Sequence, residues 1–123
     1  MDPSRIKAAR HELLALHKAL IDAARVEIER VDGRLNANEM LDRLLNDERL
    51  EWLRPLSELI VAFDELLESE TPLDPAPYLA RAVVLLTYDS AAEAHPFASE
   101  YARLLHEVPE VTMAHAATMR ALA

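Results

Sequence analysis

A chain of 123 residues with a net charge of −9 and no cysteine has the length of one domain and can bury a core without disulfides or metal. The absence of cysteine excludes a disulfide scaffold, a thiolate metal site and a cysteine nucleophile. The acidic balance argues against nucleic acid as a partner, because phosphate-backbone binding needs a basic surface.

A single glycine leaves no room for a glycine-rich phosphate loop and little for tight hairpin turns. Ala, Leu, Glu and Arg, all good helix formers, dominate instead, so the expected class is all-α. The start, Met1 to Arg5, has no basic stretch leading into an apolar one, and a cytoplasmic location is expected. The longest apolar run, Ala82 to Leu86, is far too short to span a membrane.

The first helix is expected from Ser4 to Asp32, with Ser4 as N-cap and Gly33 where a left-handed C-cap is wanted. Ile6, Ala9, Leu13, Leu16, Leu20, Ala24, Ile28 and Val31 form its apolar stripe, widened by Leu14 and Ile21. His17 and Glu27 flank that stripe, about 40° to either side of its centre. Arg5, Lys7, Arg10 and Lys18 spread around the cylinder, as a solvated face does.

A short helix follows from Ala37 to Asn46, with Asn36 and Glu39 in capping-box spacing and Met40, Leu41, Leu44 and Leu45 on its apolar side. Asp47 to Leu53 forms a separate turn. The third helix, Arg54 to Glu68, aligns Leu56, Leu59, Ile60, Phe63, Leu66 and Leu67, with Trp52 just ahead of it. Lying mid-chain and strongly amphipathic, it is the expected centre of the fold. Pro55 suits the first turn of this helix; the alternative is one helix from Asp47 kinked at Pro55.

Pro72, Pro75 and Pro77 mark a loop, and Asp74-Pro75 opens a fourth helix running to Asp89. That helix is apolar on most sides, so it is either central or covered by a partner. Pro96 to Glu107 aligns Phe97, Tyr101, Leu104 and Leu105. Pro109 to Leu122 turns Val111, Ala114, Ala117, Thr118, Ala121 and Leu122 inward, and Met113 and Met119 outward, where a second chain can meet them. The expected architecture is one domain over residues 1–123: an up-and-down helical bundle of four main helices plus one or two short accessory helices.

Three segments, His11 to Asp22, Glu29 to Arg34 and Trp52 to Ile60, together resemble a small family of uncharacterised bacterial helical-bundle proteins. The resemblance covers about the first half of the chain. It implies a helical fold and carries no functional residue.

No catalytic or metal-binding constellation is spelled out. His11 and His17 project away from each other, and no Glu-x-x-His occurs, the unit a carboxylate-bridged di-iron bundle repeats on two helices. His95, His106 and His115 lie on other segments. Ser57 lacks the glycine-framed strand–turn–helix elbow of a hydrolase nucleophile. No metal and no cofactor are expected.

His17 and Glu27 are the candidate buried polar residues. They stand about 15 Å apart along the helix axis, so each needs a partner from another helix; an unpaired buried polar group costs about 1–3 kcal/mol. Trp52 and Arg54, beside Ser57 and Glu58, are candidate surface recognition residues. An arginine at a helix start more often pairs with a carboxylate, such as that of Asp47 or Glu58. The acidic tract from Glu65 to Asp74 reads as a solvated helix end and loop.

The surplus of apolar helix faces points to a small non-enzymatic protein–protein interaction module, paired as a homodimer or with an unknown protein partner. The alternative is a bundle that binds a small apolar ligand or a metal in its core, with His17 and Glu27 as polar handles. An enzyme ranks third.

Overall fold

The apolar period of the first helix sets the architecture. In the computed structural model, which describes residues 3–87 and 96–123, α1 (Pro3–Asp32) is 30 residues long. It buries Ile6, Ala9, Leu13, Leu16, Leu20, Ala24 and Ile28 along one side. It is followed by α2 (Ala37–Asn46), a 3-10 turn (Glu48–Leu53), α3 (Arg54–Glu68), α4 (Ala76–Leu86), α5 (Pro96–Glu107) and α6 (Pro109–Leu122). Among the described residues every regular element is helical.

α1 packs on α6 and α3, α3 packs on α4, and α4 packs on α6, so four helices close a ring. Side-chain ties give their directions. Arg10 meets Asp64 and His17 meets Ser57, which makes α1 and α3 antiparallel. Arg5 donates to the Leu122 carbonyl and Thr118 to the Glu12 carbonyl, which makes α6 antiparallel to α1. The short loop after α3 returns α4 beside it, with Phe63 and Tyr78 in edge contact at 6.4 Å. The result is an up-and-down four-helix bundle, with α5 laid on α6 and on the 3-10 turn, and α2 at that turn.

The organising helix is α1, not the mid-chain α3 expected from amphipathicity. The reason is length: 30 residues reach both α3 and α6 along their extent, whereas α3 has 15. Nor is α4 central. It is one wall of the ring, burying Leu79, Ala82 and Leu86 while Val84 faces water.

Local signals place most of the boundaries. Gly33 takes φ +86° and donates to the Glu29 carbonyl, closing α1. Asn36 and Glu39 form both bonds of the capping box, at 2.8 and 3.1 Å. Pro55 sits in the first turn of α3, and the 3-10 turn runs directly into it. Two starts differ by one residue. α1 begins at Pro3, so Ser4 lies inside the first turn. α4 begins at Ala76 with Pro75 as N-cap, while the Asp74 carboxylate accepts from the Ala76 N–H. α4 ends at Leu86, with Thr87 as a non-helical C-cap whose N–H donates to the Val83 carbonyl, short of the expected run to Asp89. Asp89 itself and His95 lie outside the described residues.

An ion-pair knot joins the end of α1 to α2 and the 3-10 turn. Asp32 accepts from Arg43 and Arg49, and Asp47 accepts from the Arg49 backbone and guanidinium. Arg49, and after it Arg43, hold both carboxyls below the usual carboxylate range.

Candidate interaction surfaces

Helical spacing puts Arg10, Leu14, His17 and Ile21 on one stripe of α1, and Arg54, Ser57, Val61 and Asp64 on one stripe of α3. Antiparallel packing lays the stripes side by side as a seam. The Arg10–Asp64 pair closes one end. His17 Nε2 and Ser57 Oγ lie 2.9 Å apart in the middle. Towards α2 the seam opens into a groove of about 250 Å³ lined by His17, Ile21, Leu44, Leu45, Leu50 and Arg54, among others.

Burial between apolar neighbours lowers the pKa of His17, so the ring is neutral at pH 7. A neutral ring either accepts the Ser57 hydroxyl proton at Nε2 or donates to its oxygen. The separation is that of a nucleophile and base. The rest of such a machine is not assembled around it. Ser57 is inside a helix rather than on an exposed elbow, and among the described residues no carboxylate bonds the other ring nitrogen. The pair ties α1 to α3.

Glu27 lies elsewhere. Its carboxylate takes a 3.0 Å bond from Arg103 on α5, which also holds Glu100 at 2.6 Å. At 43 % exposure the Glu27 side chain is a surface tie, not a buried group. His17 and Glu27 therefore line separate clefts. The interior between the helices is filled by Leu13, Leu16, Leu20, Leu56, Leu59 and Phe63, which leaves these two residues no common chamber in which to act as handles on one core ligand.

A row of rings crosses the base of the bundle. Trp52 of the 3-10 turn lies 6.2 Å from Phe97, Phe97 stacks on Tyr101 at 5.1 Å, and Tyr101 lies 5.6 Å from His115 of α6. The Tyr101 hydroxyl bonds His115 Nδ1 at 2.5 Å. Burial raises the Tyr101 pKa and lowers that of His115. Trp52 is the half-buried end of this row. Below it is a cleft of about 610 Å³, with Trp52, Pro55, Pro96 and Phe97 as apolar lining and Glu48, Glu51, Glu58 and Glu100 around it. Arg54 is the one basic residue lining it. Among the described residues Arg54 makes no ion pair, so the expected partnership with Asp47 or Glu58 does not form.

Met113 is 72 % exposed on α6. Met119, expected beside it on the outer side, packs against the core instead, because its side of α6 turns towards the ring. A wide trough where Ala15, Ala19, Ala23 and Val26 of α1 meet Val108 offers only Lys18, Asp22 and Glu110 as polar groups, and Lys18 and Asp22 pair with each other.

Sequence reasoning missed the His17–Ser57 contact and the ring row. Helical spacing of the two stripes was a usable signal for the first; no local signal announced the second. Among the described residues no three His, Asp or Glu side chains gather as a metal site, and no helix is long and apolar enough to cross a membrane.

The fold is an all-α helical bundle. No protein-family model, curated protein or solved structure matches the chain.

Proposed function

We propose that this chain is a non-enzymatic protein–protein interaction module of the cytoplasm, and that it pairs with a second copy of itself through the α1–α3 seam and the adjoining side of α2. The observation that carries this reading is that exposed apolar side chains, Leu14, Leu41, Leu45 and Val61, stand on all three of these adjoining helices. On α2, Leu41 is 55 % and Leu45 67 % exposed, and Val61 on the α3 stripe is 53 % exposed. Only Met40 of the α2 apolar side is buried.

An amphipathic helix with most of its apolar side in water gains by being covered, since full burial of a leucine is worth about 1.5–3 kcal/mol. A two-fold pairing uses the same patch on both copies, so each exposed leucine is covered without a second complementary surface. A lack of cysteine suits a reducing compartment.

The test is sedimentation or light scattering of the wild-type chain and of Leu45→Glu across a wide concentration range. A wild-type dimer and a monomeric Leu45→Glu with unchanged helical circular dichroism are expected. A wild-type chain that stays monomeric into the millimolar range overturns the reading.

A further inference from the structure

We infer that the cleft under Trp52 docks a cationic, apolar peptide segment of a partner protein. This goes beyond self-association and uses a different surface. The Trp52 and Phe97 rings and the carboxylates of Glu48, Glu58 and Glu100 belong to this cleft and not to the seam groove.

The lining has two parts that call for the same partner. Its floor is apolar and aromatic: Trp52, Pro55 and Phe97, with Phe97 fully buried and held by stacking on Tyr101. A floor so supported is a rigid anchor point for an apolar side chain, and tryptophan is among the residue types enriched at such points. Around the floor stand carboxylates from three elements: Glu48 and Glu51 from the 3-10 turn, Glu58 from α3 and Glu100 from α5.

Glu100 is engaged by Arg103. Glu48, Glu51 and Glu58 make no ion pair among the described residues. The face of a half-buried indole also attracts a cation. A segment that presents an apolar residue between lysines or arginines satisfies floor and rim together.

The charge pattern also chooses among occupants. A chain of net charge −9 repels nucleic acid and anionic lipid and attracts basic segments over a long range. The cleft of about 610 Å³ is open, and its carboxylates lie on more than one side, so a chain with several cations matches it better than a single small cation.

Trp52 is the only tryptophan. It lines this cleft and the neighbouring one that holds Glu27. Glu48 and Glu58 line this cleft and not that one, so variants at those two carboxylates assign a Trp52 signal to it. The experiment titrates the full chain, at concentrations where it is monomeric, with an acetylated and amidated peptide of repeating Arg-Leu-Lys-Leu. A control peptide carries Glu at every basic position. The expected result is a saturable shift in Trp52 emission with the basic peptide and none with the control. In Glu48→Gln/Glu58→Gln, whose exposed side chains leave the core intact, binding is expected to weaken roughly three- to tenfold.

No saturable shift, or equal affinity in the double variant, overturns the proposal. Equal binding of arginine amide also overturns it, in favour of a small cation. Binding that persists in a chain found not to dimerise supports this inference while the self-association reading fails, so the two fail separately.

Discussion

His17 sits in the α1–α3 seam with apolar neighbours on both helices, and burial pushes its pKa below the ordinary 6.5. His115, against the Tyr101 ring, is pushed the same way for the same reason. Both rings stay neutral in the folded chain at pH values where unfolded ones take up a proton. The unfolded state then binds more protons, so stability rises with pH across that window. It is fully present above the unfolded value and is lost as pH falls from about 6.5 through the lower folded values. The melting temperature is therefore expected to drop between about pH 7 and about pH 5. His17→Gln, which keeps a hydrogen-bonding partner for Ser57, should show a shallower drop. A wild-type melting temperature flat over that range contradicts this assignment. Asp32 and Asp47 act in another window. Held below the usual carboxylate range by Arg49 first and then Arg43, they lose their stabilising charge only in stronger acid.

α2 is a short helix that owes much of its position to its ends. Asn36 caps it from the front and the Arg43–Asp47 and Arg49–Asp47 bonds hold it from behind. Asn36→Ala is expected to cost about 1 kcal/mol in chemical denaturation, with amide exchange in α2 accelerating before exchange in α1. Gly33→Ala should cost about 1–2 kcal/mol through the left-handed backbone alone, since an added methyl finds open space there. A neutral result for Gly33→Ala would mean that the α1 end adopts a different conformation in solution. These features were legible because they are local: Gly33, the Asn36/Glu39 spacing and Pro109 act within a single turn of chain. The one-residue shift at α4 arose where adjacent prolines and an aspartate all suit a helix start. What could not be read is what depends on register between distant segments. The meeting of His17 with Ser57, and of Trp52 with Phe97, needs the antiparallel alignment of helices that only the packed ring supplies. Amphipathicity likewise favoured α3 as the organiser, whereas reach along α6 gave that place to α1.

Both proposed surfaces belong to an acidic body, and its charge acts on them in opposite senses. Two copies that each carry −9 repel one another as they approach, while the exposed side chains they would cover, Leu41, Leu45 and Val61, are apolar, so that attraction is short-ranged and little affected by ions. Added salt shortens the Debye length from about 30 Å at 0.01 M to about 8 Å at 0.15 M and removes most of the repulsion. Self-association is therefore expected to tighten with salt over that interval. Docking of a basic peptide under Trp52 rests on attraction between opposite charges around a wet rim, and the same screening should weaken it. Sedimentation for the first and Trp52 fluorescence for the second, over one salt series, separate the two. A dimer that dissociates as salt rises would mean that charges hold the copies together. The contact would then lie away from Leu41, Leu45 and Val61, at the Arg43 and Arg49 knot or another basic spot on the surface. A dimer that tightens while the peptide lets go is the pattern the two surfaces require, because only an apolar face gains when like charges are screened.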